Sequence, residues 1–113
     1  MALTIWHNPR CSTSRKTLAL LTERGLTPTV RLYLTEPPSR DELKAVLAAS
    51  GLTARGLLRA KEPLAAELGL KTADEDTILA AMVAHPILIE RPVVISGARA
   101  ALGRPPESVT EIL

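Results

Sequence analysis

Cysteine, aromatic side chains and long apolar runs are all scarce in this chain of 113 residues. With one cysteine, Cys11, an internal disulfide and any all-cysteine zinc or iron–sulfur centre are excluded. The two histidines, His7 and His85, are too far apart to supply ligand spacing, so no metal is expected. There is no phenylalanine and only one tryptophan and one tyrosine, which leaves little for nucleic-acid bases to stack on. No stretch approaches the roughly 18 apolar residues of a membrane span, and the first residues lack the basic start and long apolar region of a signal peptide. Neither nucleic acid nor membrane is therefore an expected partner. The cytoplasm, where a lone cysteine stays reduced, is the expected compartment.

What is present is ordinary for a folded chain: 46 % hydrophobic and 23 % charged residues argue against disorder, and the length suits one domain spanning 1–113. The net charge of +2 is unevenly laid out. Up to Thr22 there is no acid, only Arg10, Arg15 and Lys16. From Arg91 to Pro106 there is again none, only Arg91, Arg99 and Arg104. Two purely basic segments on an otherwise acidic body point to a localised anion site more than to a broad nucleic-acid face. Arginine, which supplies most of the positive charge, has a planar fork suited to tetrahedral oxyanions. A general Arg, Ala and Leu bias of the coding sequence would give the same composition.

The periodicities predict an order of elements. Leu3 to His7 reads as a short strand, and Ser12 to Arg24 as a helix with Leu18 and Leu21 inward, stopped by Gly25. Thr29 to Leu34 alternates, with Val30, Leu32 and Leu34 on one face. Ser39 and Glu42 form a capping box opening a helix that Gly51 ends. Thr53 to Arg59 and Pro63 to Leu68 are short helical pieces. Thr72 and Glu75 suggest a second capping box, before a helix carrying Ile78, Leu79, Met82 and Val83. Pro92 to Ser96 and Ala98 to Leu102 read as a hairpin, and Pro105-Pro106 starts a last short helix. This is βαβ, then helices, then ββα. It predicts an α/β, thioredoxin-like fold with a four-stranded mixed sheet and an all-helical insertion, roughly residues 39–85, between the second and third strands.

Cys11 falls where the first strand's loop turns into the first helix, a position with unpaired backbone N–H groups and a positive helix end. Arg10, Arg15 and Lys16 flank it with no opposing acid. Such settings lower a cysteine pKa from ~8.5 into the range ~3.5–7.5. Ser12, Thr13 and Ser14 add hydroxyls for the sulfur or a bound oxyanion, and His7 could polarise the thiolate's surroundings or merely hold the loop. A buried, inert cysteine is the competing reading. The run Cys11-Ser12-Thr13-Ser14 lacks a second cysteine, so an oxidised Cys11 needs an outside thiol.

His7-Asn8-Pro9-Arg10-Cys11-Ser12-Thr13-Ser14-Arg15 resembles the signature of the glutathione- and glutaredoxin-coupled arsenate reductases. The likeness runs through Tyr33-Leu34, Leu57-Leu58-Arg59, Glu67-Leu68-Gly69-Leu70 and the stretch from His85 to Val94, and closes at Gly103-Arg104-Pro105-Pro106-Glu107. It covers nearly the whole chain, with most similarity to the shorter, chromosomal branch; longer members carry a further C-terminal tail. The resemblance implies that Cys11 is the nucleophile attacking arsenate, with Arg59, Arg91 and Arg104 binding the oxyanion and His7, Ser14 and Arg15 supporting. It also implies glutathione as co-substrate, glutaredoxin as partner and no tightly bound cofactor. The Arg91-Pro92 bond matches a position that is typically cis in thioredoxin-like folds. Taken alone, Arg59 could simply pair with Glu62, and Arg104 could be a surface residue at a helix start. Two other functions share the pattern. One is a glutathione-linked oxidoreductase acting on protein mixed disulfides. The other is a redox regulator of the Spx type that binds RNA polymerase, although Ser14 stands where such regulators carry their second cysteine.

Overall fold

Strand β1 (Leu3–Trp6) has a neighbour on each side, and those two neighbours decide what surrounds the end of the strand. In the computed structural model, which describes residues 2–113, β1 pairs in parallel with β2 (Thr29–Arg31) and antiparallel with β3 (Val93–Ser96). Strand β4 (Arg99–Leu102) pairs antiparallel with β3, giving the sheet order β2-β1-β3-β4. The parallel pair needs a crossover, which helix α1 (Ser12–Glu23) provides. The β3–β4 hairpin turns through Gly97, whose φ of 59° is one that few other residues tolerate. This is the mixed four-stranded α/β arrangement expected from the sequence.

The chain divides into two compact units, Met1–Glu36 with Arg91–Leu113 and Pro37–Glu90. In the sheet unit, Ile5, Leu21, Val94, Val109 and Ile112 form the core, with Leu3, Leu18, Leu20, Leu26 and Ala101 packed on it. The last segment, Pro106–Ile112, is a 3₁₀ helix packed on α1 and β4. Leu18 and Leu21 of α1 both face this core as expected, Leu21 fully buried and Leu18 partly, with Ser14 and Thr17 buried beside them. One expectation for this unit is corrected. The second strand stops at Arg31, because the carbonyl of Leu32 accepts the N–H groups of Thr35 and Glu36 and closes a turn. Val30, Leu32 and Leu34 are then 44 %, 40 % and 42 % exposed, and Tyr33 is the buried residue. An edge strand followed by a turn does not hold the alternation that a longer strand would.

In the helical unit, α2 (Arg40–Ser50) opens with the expected box: Ser39 Oγ accepts from Glu42 N at 3.1 Å, and Ser39 N donates to Glu42 Oε1 at 3.0 Å. Helices α3 (Ala54–Leu57), α4 (Pro63–Glu67) and α5 (Glu75–Ala84) follow. The second expected box is not formed. Asp74 caps α5 by accepting from Thr77 N at 2.8 Å, and the Thr72 hydroxyl lies on the carbonyl of Gly69. Asp74 being close enough to cap its own helix frees Glu75 for another one. Its carboxylate accepts from Ala54 N at 2.7 Å and Arg55 N at 3.1 Å, at the start of α3. Leu43, Val46, Leu57, Ile78, Met82 and Leu88 are among the buried side chains of this unit. His85 closes α5 through its N–H to the Ala81 carbonyl at 2.8 Å, a structural role. No helix among the described residues is long and apolar enough to cross a membrane.

Gly103, just beyond β4, sits where a Cβ would lie 2.8 Å from Thr17 Oγ1 and 2.9 Å from Pro92 Cγ. The loop preceding Arg104 is thus pressed against both α1 and the start of β3. Gly103→Ala should lower stability by about 1–3 kcal/mol, the usual cost of overpacking. The check is a urea titration, in which the midpoint falls and the slope is retained.

Candidate active site

Beyond Trp6 the chain passes through a loop to Cys11, the residue that begins α1. His7 N continues the β1–β2 pairing by donating to Arg31 O at 2.8 Å. The carbonyl of Asn8 accepts from Cys11 N at 3.0 Å, and Asn8 Oδ1 accepts from Arg10 N, also at 3.0 Å. Asn8 therefore folds the loop. From the sequence Asn8 was given no part in the site, although an Asn-Pro pair is a turn signal that points to this role.

Cys11 occupies the N-cap position with extended backbone, φ −94° and ψ 121°. A serine or aspartate there would direct an oxygen at the N–H groups two and three residues on. As a thiol, Cys11 makes no such cap. As a thiolate it gains from those same groups. Burial opposes the charge, but the N–H of Ser14, a hydrogen bond and the charge from Arg91, and the N–H of Thr13 together outweigh it. Its pKa lies below the ordinary thiol range, in the direction expected from the sequence. The cause differs in one respect. The cation that matters is Arg91, not the sequence neighbours Arg10, Arg15 and Lys16.

His7 and Ser14 form a buried pair, with His7 Nδ1 2.7 Å from Ser14 Oγ. Asn8 N also donates to that hydroxyl, at 3.1 Å. His7 is held neutral, its pKa lowered first by burial and then by the charge of Arg15. In a neutral ring Nδ1 can accept a hydrogen bond from the Ser14 hydroxyl, fixing it on the loop side of the helix. Arg15 supports the loop directly, since its Nη1 donates to the carbonyl of Pro9 at 2.8 Å.

The far end of the sheet unit supplies the remaining cations. Because β1 and β3 run antiparallel with Trp6 opposite Val93, the start of β3 lies beside the end of β1. Arg91 precedes that start, and the Arg91-Pro92 bond is cis, as is Arg104-Pro105. Gly103 N donates to Pro92 O at 2.8 Å, and Arg104 Nη1 donates to Arg91 O at 3.1 Å. Arg104 is thereby fastened to the residue that reaches the sulfur. Arg99, from the same acid-free segment, instead donates to the carbonyl of Glu111 at 2.8 Å on the surface.

Arg59 belongs to the helical unit, just after α3. There it meets two carboxylates: Glu90 Oε1 lies 2.8 Å from Nη1, and Glu62 Oε2 lies 3.6 Å from Nε. The pairing with Glu62 was foreseen, whereas the closer one with Glu90 was not, being 31 residues away in sequence. No group of three potential metal ligands occurs among the described residues.

The sequence model of the ArsC family matches residues 6–112. The chain belongs to the ArsC family. An arsenate reductase of Rhizobium meliloti (strain 1021) is 50 % identical to it over all of this chain and 82 % of the relative. One of Neisseria meningitidis (serogroup A, strain DSM 15465 / Z2491) is 47 % identical over 96 % of each chain. A solved arsenate reductase structure from Vibrio cholerae superposes with a TM-score of 0.95 at 48 % identity, covering 100 % of this chain and 98 % of that one. The thioredoxin-like ArsC fold expected from the sequence is thus the one found.

Two measurements test this geometry. The pH profile of Cys11 alkylation by iodoacetamide should have its inflection below the ordinary thiol value of ~8.5. In Arg91→Ala that inflection should move upward, and an unmoved inflection would show that Arg91 does not stabilise the anion. The second concerns His7. With its folded pKa below its ordinary 6.5, the unfolded chain takes up the proton first as pH falls. The stability carried by neutral His7 is then present above about pH 6.5 and is lost as pH drops towards the folded pKa. His7→Gln should make the acid-side fall in urea midpoint shallower.

Proposed function

We propose that the chain is an arsenate reductase whose nucleophile is Cys11. The observation carrying this reading is the thiolate-favouring N-cap of α1 with Arg91 on the sulfur, in a chain whose close relatives bear that activity in their names. Arsenate resists attack by a thiolate because both are anions, so cations must offset the charge before the sulfur can approach. Arg91 and Arg104 are joined through the Arg91 carbonyl and can act together, each guanidinium presenting planar N–H donors to oxyanion edges. Family likeness adds Arg59 as a third oxyanion arginine.

In the proposed reaction the Cys11 sulfur forms a bond to arsenic(V), and an arsenate oxygen leaves as water after protonation. Reduction to arsenic(III) then needs two electrons. One cysteine in the whole chain cannot form an internal disulfide with Cys11, so both electrons come from outside thiols. Glutathione then bonds to arsenic through sulfur, its thiol proton and a second arsenate oxygen leaving as water. A glutaredoxin thiolate then attacks that sulfur, making the glutaredoxin–glutathione disulfide and leaving the bonding pair on arsenic. Water releases arsenite and returns Cys11 to its thiol. The protein's part is to keep the sulfur ionised, hold the oxyanion and orient the adduct. Glutathione serves as co-substrate, and no resident cofactor enters.

The test is arsenate-dependent NADPH consumption coupled through glutathione, glutaredoxin and glutathione reductase. Cys11→Ser should abolish it. Arg104→Ala should lower kcat/KM by about 10²–10³-fold, the usual effect of removing one donor to a developing oxyanion. Full activity in Cys11→Ser would overturn the reading. Turnover of glutathionylated peptide without turnover of arsenate would replace it with mixed-disulfide reduction.

A further inference from the structure

Arg59 meets more negative charge than an anion-binding arginine ordinarily would. We infer that Glu90 competes with the oxyanion for Arg59, and that its carboxylate thereby sets how tightly the oxyanion is held. The inference rests on the proposed role of Arg59 in binding the substrate. The ion pair is fixed from both backbones. Leu58 and Ile89 form a β-bridge, Arg59 N donates to Leu88 O at 2.7 Å, and Glu90 N donates to Leu57 O at 2.8 Å. These bonds hold the two side chains as neighbours without help from the ion pair itself. Nη1 of Arg59 then lies 2.8 Å from Glu90 Oε1, with side chains only 21 % and 17 % exposed. Screening by water is reduced there, so the carboxylate acts strongly on anything near the guanidinium.

Glu62 adds to the same effect from Nε, at 3.6 Å. Two carboxylates thus face one guanidinium. A guanidinium has five N–H donors, so Glu90 leaves donors for a second anion. What Glu90 takes away is the positive field that would draw a dianion in. Arg59 is therefore an oxyanion ligand under internal competition. The bonds that anchor residues 59 and 90 are made by backbone, so removing the Glu90 charge should free Arg59 without unfolding the bridge.

Glu90→Gln keeps the shape of the side chain and removes its charge. Steady-state assays with sodium arsenate should give a KM about three- to five-fold lower than wild type, the scale of a partly exposed ion pair. Sodium arsenate should protect Cys11 from iodoacetamide at correspondingly lower concentration, a readout independent of glutathione and glutaredoxin. Glu62→Gln should act in the same direction and less, since Glu62 is farther. In an Arg59→Ala background, which by itself raises KM, Glu90→Gln should change neither measurement. A raised or unchanged KM in Glu90→Gln, where Arg59→Ala raises it, overturns the competition and leaves the role of Arg59 standing. An unchanged KM in Arg59→Ala overturns that role, and the competition with it.

Discussion

A sulfur anion at the start of α1 is stable only if something outweighs its loss of water. Burial alone would keep Cys11 protonated and unreactive. The N–H groups of Ser14 and Thr13 are supplied by any helix that begins at residue 12, so half of the solution is local. The other half, Arg91, is 80 positions away in sequence and arrives through the sheet. Strand β3 must run antiparallel to β1, in the register that sets Trp6 against Val93, for its first residues to meet the loop after β1. A slip of one residue would turn Ile5 and Val94 away from the core they share, so burial of these apolar side chains fixes the register. The reactivity of the thiol thus depends on ordinary core packing.

The same dependence explains a stripe of α1 that no hydrophobic pattern would choose. Ser14 and Thr17 are fully buried on a helix whose apolar spacing favours Leu18 and Leu21. Ser14 is needed at the loop, where its hydroxyl joins His7 and the N–H of Asn8. Thr17 is needed one turn on, where Gly103 approaches too closely for a Cβ. Both are small, and both hydroxyls are satisfied, Thr17 by donating to Thr13 O at 2.9 Å. Helix periodicity reads the apolar part of a face. It is silent where a buried face is polar because the chain beyond it carries a functional residue.

How much was legible follows the same division. Cys11 at a strand-to-helix turn, the Ser39 box and the β3–β4 hairpin are local features, written in adjacent residues. The arginines were visible as acid-free segments, although the sequence credited the neighbours of Cys11 with the effect that Arg91 has. What failed was whatever a distant partner decides. Glu75 serves α3 in place of its own helix, because Asp74 is closer to the free N–H groups of α5. Val30, Leu32 and Leu34 alternate as a buried strand would, yet β2 is an edge strand and the turn after Arg31 ends it.

Charge is divided between the two units in a way that bears on how an anion is handled. Segments Met1–Glu36 and Arg91–Leu113 carry eight Lys or Arg against four acids, whereas Pro37–Glu90 carries six against eight. The sheet unit, which holds the sulfur, is the part that attracts an anion, with Arg91 and Arg104 at the same end. An arginine contributed by the acidic unit has a different character, because Glu62 and Glu90 already answer its charge. In its proposed role, such an arginine would give geometry, planar donors at a fixed place, while the long-range attraction would come from elsewhere. Separating attraction from orientation has a chemical use in a reaction that must also release its product. Three unopposed guanidinium groups would bind the incoming oxyanion tightly, but they would also retain the anionic adduct. In the competition proposed for Glu90, a carboxylate that reclaims one guanidinium would weaken that hold as the charge on arsenic falls.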